Sequence, residues 1–297
     1  MPIIPVPPTA GRMGYIGAVY LFDRVVRALS SSLVARQAIN HPDVVDNTID
    51  RTLYQLGPVE VDGDIVVPVV TGGGVQGTGF LEYLWEIAVK RDLETGELIR
   101  SGQIILEYSS GQSRTFQGCK VNNLEMRATA GDRVEATIGV MGTTAATGGV
   151  SPGMTDLSPA RVLTWDNVSV NSGLFPTCIV REFNFTIANN LSRNYTFCPE
   201  TGLFASNIST GKRFVNGALG FQGFAPTDTA AGAGAETNSN RTTATETLSF
   251  NFGGFARTFY NVVYEYQAID INVGLITSTV NWYAHAGTGQ TPALDVG

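Results

Sequence analysis

Nucleophilic and acid-base catalysis need a histidine, a reactive cysteine or a close pair of carboxylates, and candidates for these roles are few in this chain. The two histidines are His41, followed by Pro42, and His285, near Gly287. Neither has neighbours that suggest a triad or a metal site, so surface or structural roles are expected. Cys119, Cys178 and Cys198 are odd in number and fit no C-x-x-C spacing, which points to buried thiols. Asp62 and Asp64 resemble the start of a calcium loop but lack the further ligand spacing, and a β-turn is the expected structure there. The sharpest chemical signal is Gly72-Gly73-Gly74-Val75-Gln76-Gly77, which matches the dinucleotide fingerprint G-x-G-x-x-G between a strand and a helix. A nucleotide fold requires repeated strand-helix alternation, and no second helix follows, so a glycine hinge is expected instead. Carboxylate pairs for glycoside hydrolysis come from distant strands and cannot be read from spacing. No catalytic, cofactor-binding or metal residue is assigned; the chain reads as a non-enzyme with no cofactor. Clustered aromatic residues on a sheet, for example Trp165 or Trp282 with Tyr283, leave open a carbohydrate-binding β-sandwich module.

The elements that would position these groups are mostly strands. Four prolines in the first eight residues rule out a helix or central strand, so residues 1–12 are expected as an extended arm. Residues 14–22 and 59–70 are rich in β-branched and aromatic types and read as strands, with a long polar loop at 30–47 between them. One helix is expected over 79–91, capped by Thr78, with Leu81, Leu84, Trp85 and Ala88 on its apolar face. Beyond it, period-two alternation predicts strands at 103–108, 115–129, 133–140, 161–170, 177–188, 213–221, 246–252, 258–269 and 275–283. One helix among so many strands implies antiparallel sheets. A first β module is expected over 13–142 and a second over 161–297, joined by a linker at 143–160; a loop at 227–241 lies in the second.

Composition limits the partners. With 15% charged residues and a formal net charge of −7, the chain does not grip nucleic acid through clustered cations. The start lacks the pattern of a signal peptide, and no apolar run approaches a membrane span, so folding in a cytoplasm is expected and no membrane partner. The Asn-x-Ser/Thr triplets at Asn184, Asn194 and Asn207 are then incidental.

A near-repeat is the most informative pattern. The run from Cys119 and the run from Cys178 each place apolar residues on one parity, at Val121 and Val180, and then switch. After the switch come Leu124, Met126 and Ala128 in the first copy, and Phe183, Phe185 and Ile187 in the second. A β-bulge produces such a switch, because one extra residue exchanges the two faces. In the first copy the chain turns at Ala130-Gly131-Asp132 and returns with Val134, Ala136, Ile138 and Val140 on one face and Arg133, Glu135 and Thr137 on the other. The second copy is expected to turn at Asn189-Asn190 and return through Tyr195 and Phe197.

The segment 118–142, with the runs 183–191 and 211–219, resembles the central hairpins of tail tube proteins of tailed bacteriophages (the major tail protein). The likeness covers about residues 57–224. It implies a mainly β fold: an antiparallel β-sandwich of tail-tube type with one flanking helix, whose inner-sheet strands form a shared β-barrel in a ring. It implies a virion structural protein of the tail, assembled in the host cytoplasm, forming hexameric rings stacked into a tube that conducts DNA during ejection. Other partners would be tail proteins: sheath or terminator, baseplate and tape measure. An internal duplication is an alternative, in which three copies make a pseudo-hexamer; a baseplate or terminator subunit, or a tailocin or gene transfer agent, also stays open. The arm and the loop at 30–47 are candidates for contacts along the axis. On the polar hairpin face Glu125, Arg127, Asp132, Arg133 and Glu135 alternate in sign, as a hydrated channel wall that holds no phosphate firmly would.

Overall fold

The structure is a computed structural model that describes residues 16–40, 55–71, 79–90, 98–108, 112–148, 161–172, 180–196, 202–222, 246–266, 270–272, 275–286 and 293–294. The arm, most of the linker, the loop at 227–241, the glycine run at 72–77, His41, Thr78, Cys178, Cys198 and Phe197 lie outside them.

The first part of the chain forms β1 (Ile16–Leu21), β2 (Arg24–Val26), β3 (Ser30–Ser31), β4 (Val34–Asn40), β5 (Gln55–Pro68), β6 (Val70–Thr71) and α1 (Phe80–Val89). Next come β7 (Gly102–Tyr108), β8 (Ser113–Thr129), β9 (Glu135–Gly142), β10 (Thr144–Thr147) and β11 (Arg161–Val162). A 3-10 turn at Trp165–Asn167 leads into β12 (Val168–Ser172), β13 (Val180–Ala188), β14 (Ser192–Asn194), β15 (Asn207–Ser209) and β16 (Phe214–Gln222). The last strands are β17 (Glu246–Phe252), β18 (Phe255–Tyr266), β19 (Asp270–Asn272) and β20 (Leu275–Ala284). The mainly β, antiparallel, sandwich-like class, with one α-helix among the described residues, follows from this order, since every strand pair between these elements is antiparallel.

A large sheet runs β4-β5-β9-β8-β13-β16-β20-β18-β17-β12. Its inner face is covered at one end by α1 and by β7, β1, β2 and β10, which pair on or beside the first third of β8. At the other end the sheet folds back on itself. β18 bends at Asn261, whose φ is +50°, and the register with β17 shifts there. The fold-back brings Phe250 and Phe252 of β17 over Phe183 and Phe185 of β13, with ring centroids 5.2–6.4 Å apart. The two covers meet where Trp85 of α1 packs edge-on against Phe259 at 6.1 Å. This aromatic cluster, with Trp282, is the centre of the core.

β8 serves both layers because it bends at Gly118. Its φ of +59° lies where side chains are disfavoured, and a Cβ there would sit 2.3 Å from the Thr143 hydroxyl. The parity switch expected in the two hairpins is present: register shifts fall between Val121 and Asn123 in β8 and between Val180 and Glu182 in β13. Beyond each bulge Leu124, Met126, Ala128, Phe183, Phe185 and Ile187 are buried, as are Val134, Ala136, Ile138 and Val140.

Five local expectations are corrected. The loop at 30–47 contains β3 and β4, which pair with β5; β4 is an edge strand whose Arg36, Gln37 and Ile39 stay exposed, so it lacks the alternation of a buried strand. Asp62 and Asp64 do not form a β-turn but lie within β5, where Gly63 admits the backbone of Leu33, whose Cα would lie 2.5 Å from a Cβ. The second hairpin does not return through Tyr195, which is exposed outside any strand; β13 pairs with β16, and the short β14–β15 hairpin is inserted between them. Residues 161–170 are not one strand but β11, the 3-10 turn and the start of β12. The N-cap position of α1 is Gly79, with no side-chain cap, and the helix is buried on more than one face, since Tyr83, Ile87 and Val89 join the expected apolar residues.

Candidate functional site

Alternation leaves the side chains opposite the core in rows across the outward face of the sheet. One row runs Pro68, Glu135, Arg127, Asn184, Ala218, Asn281, Glu265. The next runs Val66, Thr137, Glu125, Thr186, Asn216, Tyr283, Val263. A third continues through Thr129, Glu182, Gly220 and Thr279. Amides, hydroxyls and the acids Glu125, Glu135, Glu182 and Glu265 dominate, and Arg127 is the cation among them.

Arg127 does not stand free. Its Nη2 donates to Glu135 Oε2 at 2.9 Å from the neighbouring strand, and Arg133 donates through Nε to Glu135 Oε1 at 3.0 Å. The hydrogen bond from Arg127, joined by that from Arg133, holds the Glu135 carboxyl below the usual carboxylate range, against the opposing effect of partial burial. The same bond, with a weaker field from Glu125, raises the pKa of Arg127. One carboxylate thus engages two guanidinium groups, Arg133 through Nε and Nη2 and Arg127 through Nη2, so fewer of their donors are left for a phosphate.

Of the five residues expected on this face, Arg127, Arg133 and Glu135 form one cluster, and Glu125 lies in the adjoining row. Asp132 joins through its backbone: its N–H donates to Thr129 O at 2.9 Å and its carbonyl accepts from Trp165 N at 3.1 Å. An open polar hollow lies here, lined by Arg127, Thr129, Gly131, Asp132, Arg133 and Glu135. Trp282 and Tyr283 do not form an aromatic platform: Trp282 is fully buried against Gly217, on the face opposite Tyr283, while Trp165 stays exposed.

Two supports of this surface have no local sequence signal. Asn189, fully buried at the end of β13, donates through Nδ2 to the carbonyls of Ala88 and Val121, both at 2.9 Å. Arg213 donates to Val89 O at 2.9 Å and to Asn189 Oδ1 at 3.0 Å. Together they satisfy carbonyls in the last turn of α1 and tie the helix to the hairpins. The β14–β15 hairpin covers the outward face at the far end of β8: Lys120 Nζ donates to Ile208 O at 2.9 Å, and Arg193 reaches Val61 O at 2.6 Å and Asp62 at 3.3 Å. Both join residues far apart in sequence, which no local pattern reveals.

Among the described residues no cluster of His, Cys, Asp or Glu is arranged to hold a metal ion, and no helix is long and apolar enough to cross a membrane. A family model described as phage tail tube protein matches residues 42–284. No curated protein matches the chain.

Proposed function

The chain belongs to the phage tail tube protein family, and from that premise we propose that its outward polar sheet face lines the channel of stacked hexameric rings through which DNA passes. As a member it is a structural subunit of the tail tube, a virion tail component that assembles with itself and associates with other tail proteins.

The observation that carries the channel assignment is the Glu135 clamp on Arg127 and Arg133. A wall passed by a polyanion must bind few phosphates, and here both guanidinium groups are engaged by one carboxylate amid further acids and uncharged polar groups. DNA transit is then without specific binding, and no catalytic step is needed.

The hexameric ring is favoured over a trimer of duplicated modules by the relation between the hairpins. Adjacent modules in a pseudo-hexameric ring differ by a rotation about the tube axis, which preserves axial direction. The β8–β9 and β13–β16 hairpins are related instead by a local twofold normal to the sheet, because β8 and β13 are antiparallel neighbours. Such a twofold reverses axial direction, so the duplicated hairpins supply one four-stranded wall segment, β9-β8-β13-β16. The halves 13–142 and 161–297 then share that segment. Strand edges of neighbouring copies pair to close the ring, which removes the hazard of an open edge; β4, with Ile39 57% exposed, is a described edge suited to it. Sheath or terminator, baseplate and tape measure are the other expected partners, with assembly in the host cytoplasm.

Thiol labelling of tubes carrying Thr186→Cys tests the channel assignment. A small maleimide should label the site and a maleimide on a polymer too large for the channel should not; equal labelling by both would place this face outside.

A further inference from the structure

The outward face of the large sheet is not bare along its whole length, because the β14–β15 hairpin lies over part of it. We propose that this hairpin is a shield in the channel wall, keeping the cations Lys120 and Arg193 from passing DNA and presenting an uncharged polar surface in their place; this rests on the channel reading above.

The covered patch carries an excess of positive charge. Asp62, Met141 and Lys120 form one row across β5, β9 and β8, on the side opposite the buried Val61, Val140 and Val121. Met141 shares the parity of Thr137 and Glu135 along β9, so this is the same outward face. Lys120 is nonetheless only 5% exposed, and its Nζ donates to Ile208 O at 2.9 Å beneath the hairpin. The Arg193 side chain, 12% exposed, donates to Val61 O at 2.6 Å and to Asp62 at 3.3 Å. With one acid against two cations, the patch would attract phosphate if it were uncovered.

The hairpin has two distinct faces. Arg193 pairs with Ile208, and both are turned down onto the sheet, whereas Ser192 pairs with Ser209 and Asn194 with Asn207. Alternation turns those four side chains away from the sheet, where Ser192, Asn194 and Asn207 are exposed and the Ser192 and Ser209 hydroxyls join at 2.8 Å. Stacked sheets lie roughly 10 Å apart, so this upper face stands in front of Lys120 and meets DNA first. Hydroxyls and amides release no counterions from DNA, so they add little to its affinity for the wall.

The hairpin is held in place at both ends. At its base Gly211 N donates to Asn190 O at 3.1 Å, Asn190 Nδ2 donates to Lys212 O at 2.7 Å, and Leu191 N donates to Asn122 Oδ1 at 2.9 Å. Beyond β14, Leu203 O accepts from Val59 N of β5 at 2.8 Å, so the excursion reaches from the end of β13 across the sheet to β5. Lys212, exposed at the base, lies outside the covered patch.

Assembled tubes of the full chain test the shield. Acetylation by a small reactive ester, read by mass spectrometry, should modify Lys212 at least tenfold faster than Lys120; equal rates would overturn the proposal. Tubes carrying Asn207→Lys should retain at least tenfold more DNA at low salt than unsubstituted tubes and lose the excess as salt rises, and no gain would overturn it. Asn207→Cys should be labelled by a small maleimide and spared by a maleimide on a polymer too large for the channel. Equal labelling by both reagents there, while Thr186→Cys still discriminates between them, would overturn the shield and leave the channel reading standing. Equal labelling at both positions would overturn both.

Discussion

Met126 and Phe185 are directly paired across the β8–β13 seam, and each is the seventh residue after the cysteine that begins its copy of the repeated hairpin. The equivalence continues along the strands: Asn123 pairs with Ala188 and Thr129 with Glu182, the partners that a twofold through the central pair requires. Both central side chains point into the core, and the surfaces on either side of the seam share one polar outward face.

Truncation at the two central positions should be unequal. Phe185 lies 5.2 Å from both Phe250 and Phe259, so Phe185→Ala opens a cavity among aromatic rings where the fold-back layer meets the sheet. Its expected cost is about 3–5 kcal/mol, and that of Met126→Ala about 2–3 kcal/mol, because a smaller side chain is lost and a smaller cavity is left. Urea unfolding of the dilute subunit measures both.

Asn189→Leu should destabilise the fold although it replaces a polar residue in a fully buried place by an apolar one. It leaves the carbonyls of Ala88 and Val121 without their donor, at about 1–3 kcal/mol for each buried group left unpaired. Hydrogen exchange should show faster opening of α1 than of β9, since the substitution loosens the helix end specifically.

Glu135→Gln should convert the channel from slippery to adhesive. The amide keeps the shape but releases Arg127 and Arg133 as cations, so tubes of the variant should retain DNA at low salt and lose it as salt rises. Adding Arg127→Ala and Arg133→Ala should abolish that retention. The pH dependence has a definite sign. Because the folded-state pKa of Glu135 is depressed, the clamp and its stabilisation are fully present above the ordinary glutamate value of about 4.3 and are lost only as pH falls through the lower folded value. Unsubstituted tubes should therefore begin to hold DNA only below that ordinary value.

The Cys119 thiol should resist alkylation in the native protein. It is fully buried, and burial pushes its pKa up to about 12, so almost no thiolate exists near neutrality. Mass spectrometry after iodoacetamide treatment should find Cys119 modified only above the unfolding midpoint.

The strands, their antiparallel pairing and the bulged hairpins were legible because period-two alternation against a core is strong wherever one face is buried, as along Leu124 to Ala128 and Val134 to Val140. The edge strand β4 was not, because Arg36, Gln37 and Ile39 are exposed in succession or nearly so, and alternation fades where neither face is fully covered. The return through β16 was missed because β14 and β15 are short and polar and interrupt the repeat, leaving Asn189 to be recognised only by what it touches. On the polar face, the Arg127–Glu135 pair follows from hairpin register alone, whereas the clasp of Arg213 on α1 joins residues too distant in sequence for any local pattern. Trp282 and Tyr283 were expected to cluster on the sheet but take opposite faces, and Trp282 is buried where Gly217 leaves room for its ring.

Electron cryomicroscopy of tubes assembled from the purified chain tests the central claim most directly. The account predicts sixfold rings with Arg127, Glu135, Thr186 and Asn216 facing the channel. Threefold rings with two oppositely placed wall segments per subunit, or the same residues on the outer surface, would contradict it.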